Sequence, residues 1–286
     1  MWIWRRHYPE MFSTSTNTKM TNAKACYAPW FWSVRSVTAV RKAISTYTKE
    51  GTRPINEDYV AFREEEDNAI LIVADGLGGH DKGEVASKHV ATFIQKEYHF
   101  ESSPKEELGT VIKNAQNSLL ELQRQSNTIN ASNAMKTTVV VLAMNQESAY
   151  IAHVGDSRAY IFGKGKKYSR TMDHSVPQML ALAGDIKEKE IRHHKERSSL
   201  LRVLGTPWEK DAYEISEKIE LKNVKAMLLC TDGFWELIEE REMMKCLKKA
   251  KSPEEWLEMM SQIVEKNGAG KEMDNYTAGA VFITEK

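Results

Sequence analysis

Cysteine is scarce in this 286-residue sequence: Cys26, Cys230 and Cys246 are an odd three with no C-x-x-C spacing. A disulfide framework or a thiolate zinc site is therefore not expected, and a reducing compartment is. No uninterrupted apolar run reaches the roughly 18 residues that a membrane-spanning helix needs. Neither sign of charge is in excess, with 40 Lys+Arg against 40 Asp+Glu. That balance speaks against a general nucleic-acid binder. No secretory h-region, internal repeat or low-complexity tract occurs. With no export signal and no thiol pairing, the expectation is a cytoplasmic protein without a membrane span.

What is present describes an ordinary globular chain, 41% hydrophobic and 28% charged, long enough for one large domain or two small ones. The zero net charge conceals an uneven split. Residues 1–42 carry seven basic residues against one acid, Glu10, a net +6 that leaves −6 for residues 43–286. Four of the seven tryptophans, Trp2, Trp4, Trp30 and Trp32, also lie there. Residues 1–42 read as a poorly ordered N-terminal extension, and 43–286 as one folded domain.

Within that domain the periodicity alternates between strand and helix. Ile44–Thr48, Tyr59–Arg63 and Ala69–Ala74 read as strands, the last two as a hairpin. Helices are expected over Lys82–Tyr98 and after Pro104, where Leu108, Val111, Ile112, Ala115 and Leu119 keep a 3.6 period. Val139–Met144, Ala149–Val154 and Arg158–Phe162 are β-branched or aromatic runs, hence three more strands. Met227–Cys230 and Ala278–Ile283 supply two late strands. Helices are expected over Phe234–Leu247 and Pro253–Glu265, the second opened by a capping box at Ser252. Residues 176–204 form a less regular, mostly helical excursion. Blocks of helix between antiparallel strands predict an α+β fold, with two sheets face to face and helices outside.

Acidic residues recur where strands end. Ala69–Ala74 runs into Asp75-Gly76, Met227–Cys230 into Thr231-Asp232-Gly233, Asp156 occupies the turn between two strands, and Asp274-Asn275 precedes the last one. One Asp-Gly after a strand is usually a turn or a helix cap. Four such sites in one chain point instead to carboxylates converging on a shared cation, because clustered carboxylates repel unless neutralised. Oxygen-only ligation without a supporting His/Cys cluster favours Mg²⁺ or Mn²⁺ over zinc. Arg53 could hold a phosphate with its guanidinium fork. His80, His153 and His174 lie near the acidic motifs and are either acid catalysts or satisfied polar groups. Residues Gly76–Gly79 lack nucleotide-loop spacing, and Ser157 lacks a nucleophile-elbow context.

Taken in order, seven segments resemble the metal-dependent Ser/Thr phosphatases of the protein phosphatase 2C family. They are Arg53-Pro54-Ile55-Asn56-Glu57-Asp58, residues 73–80 with 83–87, Thr137-Thr138, residues 154–160, Asp173-His174-Ser175, residues 229–233, and residues 274–277. The resemblance spans the chain from about Ile44 to the C-terminus and has the form of bacterial members. It implies a four-layer α-β-β-α sandwich with two central antiparallel sheets and a binuclear Mn²⁺ or Mg²⁺ site at one end. By matching motifs, Asp75 would bridge both ions with the Gly76 carbonyl as a further ligand, and Asp232 and Asp274 would complete one shell. Glu57 would hold a metal-bound water. Asp156, with Asp232, would serve a third, weaker ion. Arg53 would clamp the substrate phosphate, and residues 176–204 would be the flap beside the site.

The implied reaction is hydrolysis of phosphoserine and phosphothreonine in proteins by a metal-bridging hydroxide, with no phospho-enzyme. Products of Ser/Thr kinases would be the substrates and a monomer the working form. Three features depart from the family pattern: Leu77 stands where some members carry an acid histidine, Lys136 where Gly is usual, and the extension over residues 1–42 has no guide in the family. A catalytically silent phosphoprotein binder and a phosphatase of small phosphoesters are the alternative readings. A nuclease would want a basic groove, which the −6 of residues 43–286 does not supply.

Overall fold

Two antiparallel sheets organise residues 40–77, 82–101, 103–126, 135–165 and 167–285, the residues described by this computed structural model. The first contains β1 (Val40–Lys49), β6 (Arg158–Gly163), β7 (Tyr168–Arg170), β10 (Val224–Cys230) and β11 (Tyr276–Glu285), in the order β1-β11-β10-β6-β7. The second contains β2 (Asp58–Glu65), β3 (Asn68–Asp75), β4 (Val139–Met144), β5 (Ser148–Val154) and β8 (Glu214–Ile215), in that order, with β9 (Ile219–Glu220) also paired to β5.

The side-chain alternation of the strands decides the layering. On β3, Ile70, Ile72 and Ala74 pack against α1 (Gly83–Glu97) and α2 (Pro104–Gln125), while Ala69, Leu71 and Val73 face the other sheet. On β10 and β11, Ala226, Leu228, Ala278 and Ala280 meet the helices α5 (Glu240–Lys249) and α6 (Pro253–Gly268). Their alternates Met227, Leu229 and Val281 enter the inter-sheet core with Leu71 and Leu142. Three separate apolar cores between four layers are the expected α-β-β-α sandwich. Among the described residues no helix is long and apolar enough to cross a membrane.

The structure differs from the expected elements in four places. Strand β1 takes in residues 40–42, assigned above to the extension, because Arg41 and Lys42 find ladder partners in Thr284 and Ile283. Residues 1–39 lie outside the described residues, as does His80. The helix expected over 234–247 is two: α4 (Asp232–Trp235) stops, and Glu239, in extended conformation, caps α5 through a reciprocal bond with Glu242. Strands β7, β8 and β9, two or three residues each, were not foreseen, since exposed edge strands carry no apolar period. In the 176–204 excursion the regular elements are α3 (Val176–Ala183) and a 3₁₀ turn, Glu188–His193.

Candidate metal centre and active site

Strand register brings the aspartates to one end of the sandwich. Cys230 of β10 pairs with Arg158 of β6 on one side and Ala278 of β11 on the other. Asp232, two residues past Cys230, therefore lies beside the β5–β6 turn carrying Asp156 and the approach to β11 carrying Asp274. In the other sheet Asp75 ends β3 directly opposite Asp58. Thr231 Oγ1 ties the sheets together, donating to Asp58 Oδ2 at 2.9 Å while accepting from the Thr277 N–H at 3.0 Å.

Backbone bonds hold this end in place. The Asp75 carbonyl accepts from the Thr138 N–H and the Thr137 hydroxyl, both at 2.8 Å. The Glu57 carbonyl accepts from Gly76 N–H at 3.0 Å, and the Glu57 N–H donates to Asn275 Oδ1 at 2.9 Å. Two glycines permit the crowding. A Cβ on Gly76 would lie 2.3 Å from the Gly83 carbonyl oxygen, and one on Gly233 would lie 2.1 Å from the Asn275 carbonyl oxygen.

The result is a cavity of about 1040 Å³ lined by Arg53, Asp75, Gly76, Asp156, Asp232 and Asp274. The segment 198–212, with Leu77 and Lys136, supplies much of the remaining wall. Arg53 donates to Asp274 Oδ2 at 2.9 Å across the exposed rim. Glu57 does not line the cavity; its carboxylate sits behind it, where a Cβ on Gly83 would meet Oε1 at 2.5 Å.

Electrostatics identify what this cluster suits. Burial, then repulsion from Asp232, Asp58, Asp156 and Asp274, holds the Asp75 carboxyl well above the usual carboxylate range. Burial and Asp232 raise Asp156 as well. Burial and Asp274 push Asp232 up to about 6. Burial, with Glu84 and Asp274 nearby, raises Glu57. Carboxylates crowded until Asp75, Asp156 and Asp232 resist ionisation suit divalent cations that take oxygen ligands, and among the described residues the cavity lining offers neither thiolate nor imidazole. The residues present therefore fit the implied ions.

Asp58 was not singled out among the sequence candidates. Buried on β2, it is pushed up to about 8 by desolvation, with Asp232 and Asp274 adding repulsion. Its signal was the acidic pair Glu57-Asp58 at a strand start, but which member faces the cluster depends on register. The Arg158–Asp173 pair was also missed. Arg158 donates from Nε and Nη2 to the two Asp173 oxygens at 2.8 and 2.6 Å, both side chains being almost wholly buried. The guanidinium lies 3.3 Å from the Trp235 ring centroid, and the Trp235 indole donates to the Asp156 carbonyl at 3.0 Å. This pair thus braces the turn that presents Asp156.

His153 and His174 do not join the cavity. Their rings stack at 4.6 Å, His153 Nε2 bonds to the Met172 carbonyl at 2.8 Å, and His174 Nδ1 accepts from the Gly155 N–H at 3.2 Å. With Glu214 they form a tight group of ligand-type atoms. The Arg202 guanidinium, 3.3 Å from His174 Nε2, opposes a cation there. Both histidines are satisfied structural groups.

Comparison with known proteins agrees with this geometry. A family model described as protein phosphatase 2C matches residues 49–276. The serine/threonine phosphatase stp of Listeria monocytogenes is 32% identical over 228 residues, covering 78% of this chain and 88% of that protein. The crystal structure of serine/threonine phosphatase Stp1 from Staphylococcus aureus superposes with a TM-score of 0.75 at 27% identity, over 84% of this chain and 94% of the other. At 20% identity the PstP catalytic domain, solved in complex with two manganese ions, shares the fold at a TM-score of 0.70, over 86% of this chain and 100% of that one. A sandwich whose strand ends gather aspartates around one cavity, matched by family and by relatives over most of its length, places this chain in the protein phosphatase 2C family.

Proposed function

We propose that this chain removes phosphate from phosphoserine and phosphothreonine in proteins, using Mn²⁺ or Mg²⁺ held by its aspartate cluster. The convergence of Asp75, Asp156, Asp232 and Asp274 on one cavity with Arg53 at the rim carries this reading. Asp75, the Gly76 carbonyl, Asp232 and Asp274 would hold two ions, Asp156 with Asp232 a third, and Glu57 a water from behind the cluster. Bound there, divalent cations supply Lewis acidity toward the phosphoryl oxygens and lower the pKa of water.

The chain's own residues orient the rest. Arg53, already drawn over the cluster by Asp274, offers its remaining N–H groups to the phosphoryl oxygens. Oxygen from water bonds to phosphorus, the bond from phosphorus to the Ser or Thr oxygen breaks, and that oxygen leaves with a proton from solvent. No phospho-enzyme is invoked: Cys230 is buried in the core, where desolvation pushes its thiol up. Residues 176–204 act as the flap, since their last residues, Ser198, Leu200, Leu201, and the following Arg202 and Val203 line the cavity where a peptide would enter. The same reading has the protein act in the cytoplasm, as a monomer, on the products of Ser/Thr kinases; the free thiols Cys230 and Cys246, which suit a reducing compartment, support the location.

Release of inorganic phosphate from a phosphothreonine peptide, with Mn²⁺, with Mg²⁺ and with EDTA, tests the reading. Metal-dependent release abolished by EDTA is expected. No release with either metal from a folded protein would overturn it and favour the silent binder.

A further inference from the structure

Four cationic residues line the cavity: Arg53, Lys136, Arg202 and Lys210. Arg53 is paired with Asp274 at 2.9 Å and Arg202 with Glu214 at 3.1 Å. Among the described residues the ammonium groups of Lys136 and Lys210 have no ion pair or hydrogen bond. Lys210 is exposed on a loop, whereas Lys136 is half-buried.

The backbone of Lys136 is anchored to the aspartate cluster. Its carbonyl accepts from the Leu77 N–H at 3.0 Å, two residues past Asp75. The next residue, Thr137, bonds to the Asp75 carbonyl through its hydroxyl and exchanges backbone bonds with Leu204 at 3.2 and 2.9 Å. On the other flank the chain closes in, so that a Cβ on Gly205 would lie 3.2 Å from the Lys136 Cα. A flexible four-carbon stem thus rises from a fixed base at the edge of the site. Among the described residues its charge has no partner, in a cavity where Asp75, Asp156, Asp232 and Asp274 would be the ligands of cations. Once those carboxylates are occupied, the anion that enters is the substrate's phosphate dianion. A partly buried cation on a fixed backbone base attracts such an anion more strongly than a mobile surface lysine does.

We propose that Lys136 is a second phosphate-binding residue of the active site, pairing through Nζ with the phosphoryl group of the substrate beside Arg53. This rests on the phosphatase reading above. Lys136 makes the site tighter for phosphate, and for product, than the aspartates and Arg53 alone would.

The test compares wild type, Lys136→Met and Lys136→Arg with Mn²⁺, on p-nitrophenyl phosphate and on a phosphothreonine peptide, and measures inorganic phosphate as a competitive inhibitor. Lys136→Met should raise KM for both substrates and KI for phosphate by roughly ten- to thirtyfold, with a smaller change in kcat. Lys136→Arg should stay within about threefold of wild type, because it keeps the charge. Lys136→Gln serves as the neutral variant should methionine impair folding. Unchanged KM and KI in an active neutral variant would overturn the inference alone. So would equal losses in the Arg and Met variants, the mark of a structural role. A loss confined to the peptide would also overturn it, since it would move the contact off the phosphoryl group. A wild type that releases no phosphate with either metal would overturn the phosphatase reading as well.

Discussion

Asp173→Ala is expected to cost far more stability than Arg158→Met, although the two side chains form one ion pair. Both are almost fully buried, with side-chain exposures of 1% and 3%. Removing the carboxylate leaves the Arg158 guanidinium in the core without its ion-pair partner, with the Tyr160 hydroxyl at 3.1 Å and the Trp235 face as its remaining direct contacts among the described residues. It also takes the partner at 3.2 Å from Arg170. An uncompensated buried charge costs about 3–5 kcal/mol. Arg158→Met leaves Asp173 paired with Arg170 and still accepting from it, while methionine fills much of the vacated volume beside Trp235. The cost there should be about 1–3 kcal/mol, the loss of a charge-assisted bidentate pair without a stranded cation. Urea unfolding reads both values as shifts in midpoint at constant slope. Loss in Arg158→Met equal to or above that in Asp173→Ala would refute the reasoning, since it would mean that Arg170 does not hold Asp173. The double variant should lose less than the sum of the singles, because the stranded charge is then gone.

Two further outcomes follow from the cluster and from the stacked histidines. Asp75→Asn should abolish metal-dependent phosphate release yet raise, or at least keep, the melting temperature in EDTA, because it removes one of the crowded carboxyls that repel each other without ions; a melting temperature lowered in EDTA would contradict this. Burial and His153 hold His174 down to about 4. The unfolded chain, with an ordinary imidazole near 6.5, therefore takes up the proton first as pH falls. Stability from this group is present above pH about 6.5 and is lost between there and about 4, roughly 2 kcal/mol of it by pH 5. Urea midpoints at pH 7 and pH 5 should converge for wild type and His174→Gln; equal acid losses in the two would refute the assignment.

Much of this protein was legible in short stretches of sequence. The unbroken apolar run Ala69–Ala74 and the 3.6-residue period after Pro104 announce a buried strand and an amphipathic helix, because burial on two faces or on one leaves its own local pattern. The candidate aspartates were legible too, since each sits beside Gly or Asn next to the end or start of a strand, and Asp75, Asp156, Asp232 and Asp274 line one cavity. The break before Glu239 was not visible, because the apolar period continues through it while the capping bond of Glu239 with Glu242 restarts the helix. Nor could the sequence separate His153 and His174 from the acid-catalyst reading. Only the register of β5, and the loop that brings His174 back over it, stacks them away from the cavity.

The sequence by itself therefore determined the element types, the order of the motifs and the oxygen-rich chemistry of the site, all of which rest on residues a few positions apart. The tertiary structure alone decided which faces of β3 and β10 meet which layer, that Asp58 rather than Glu57 is the buried member of its pair, that Arg158 and Asp173 brace the Asp156 turn, and that Lys136 lines the same cavity as Asp75 with no ion pair among the described residues. Those facts depend on strand register and on the closure of two sheets over each other. A shift of one residue in strand register would turn Asp58 of β2 or Arg158 of β6 to the opposite face.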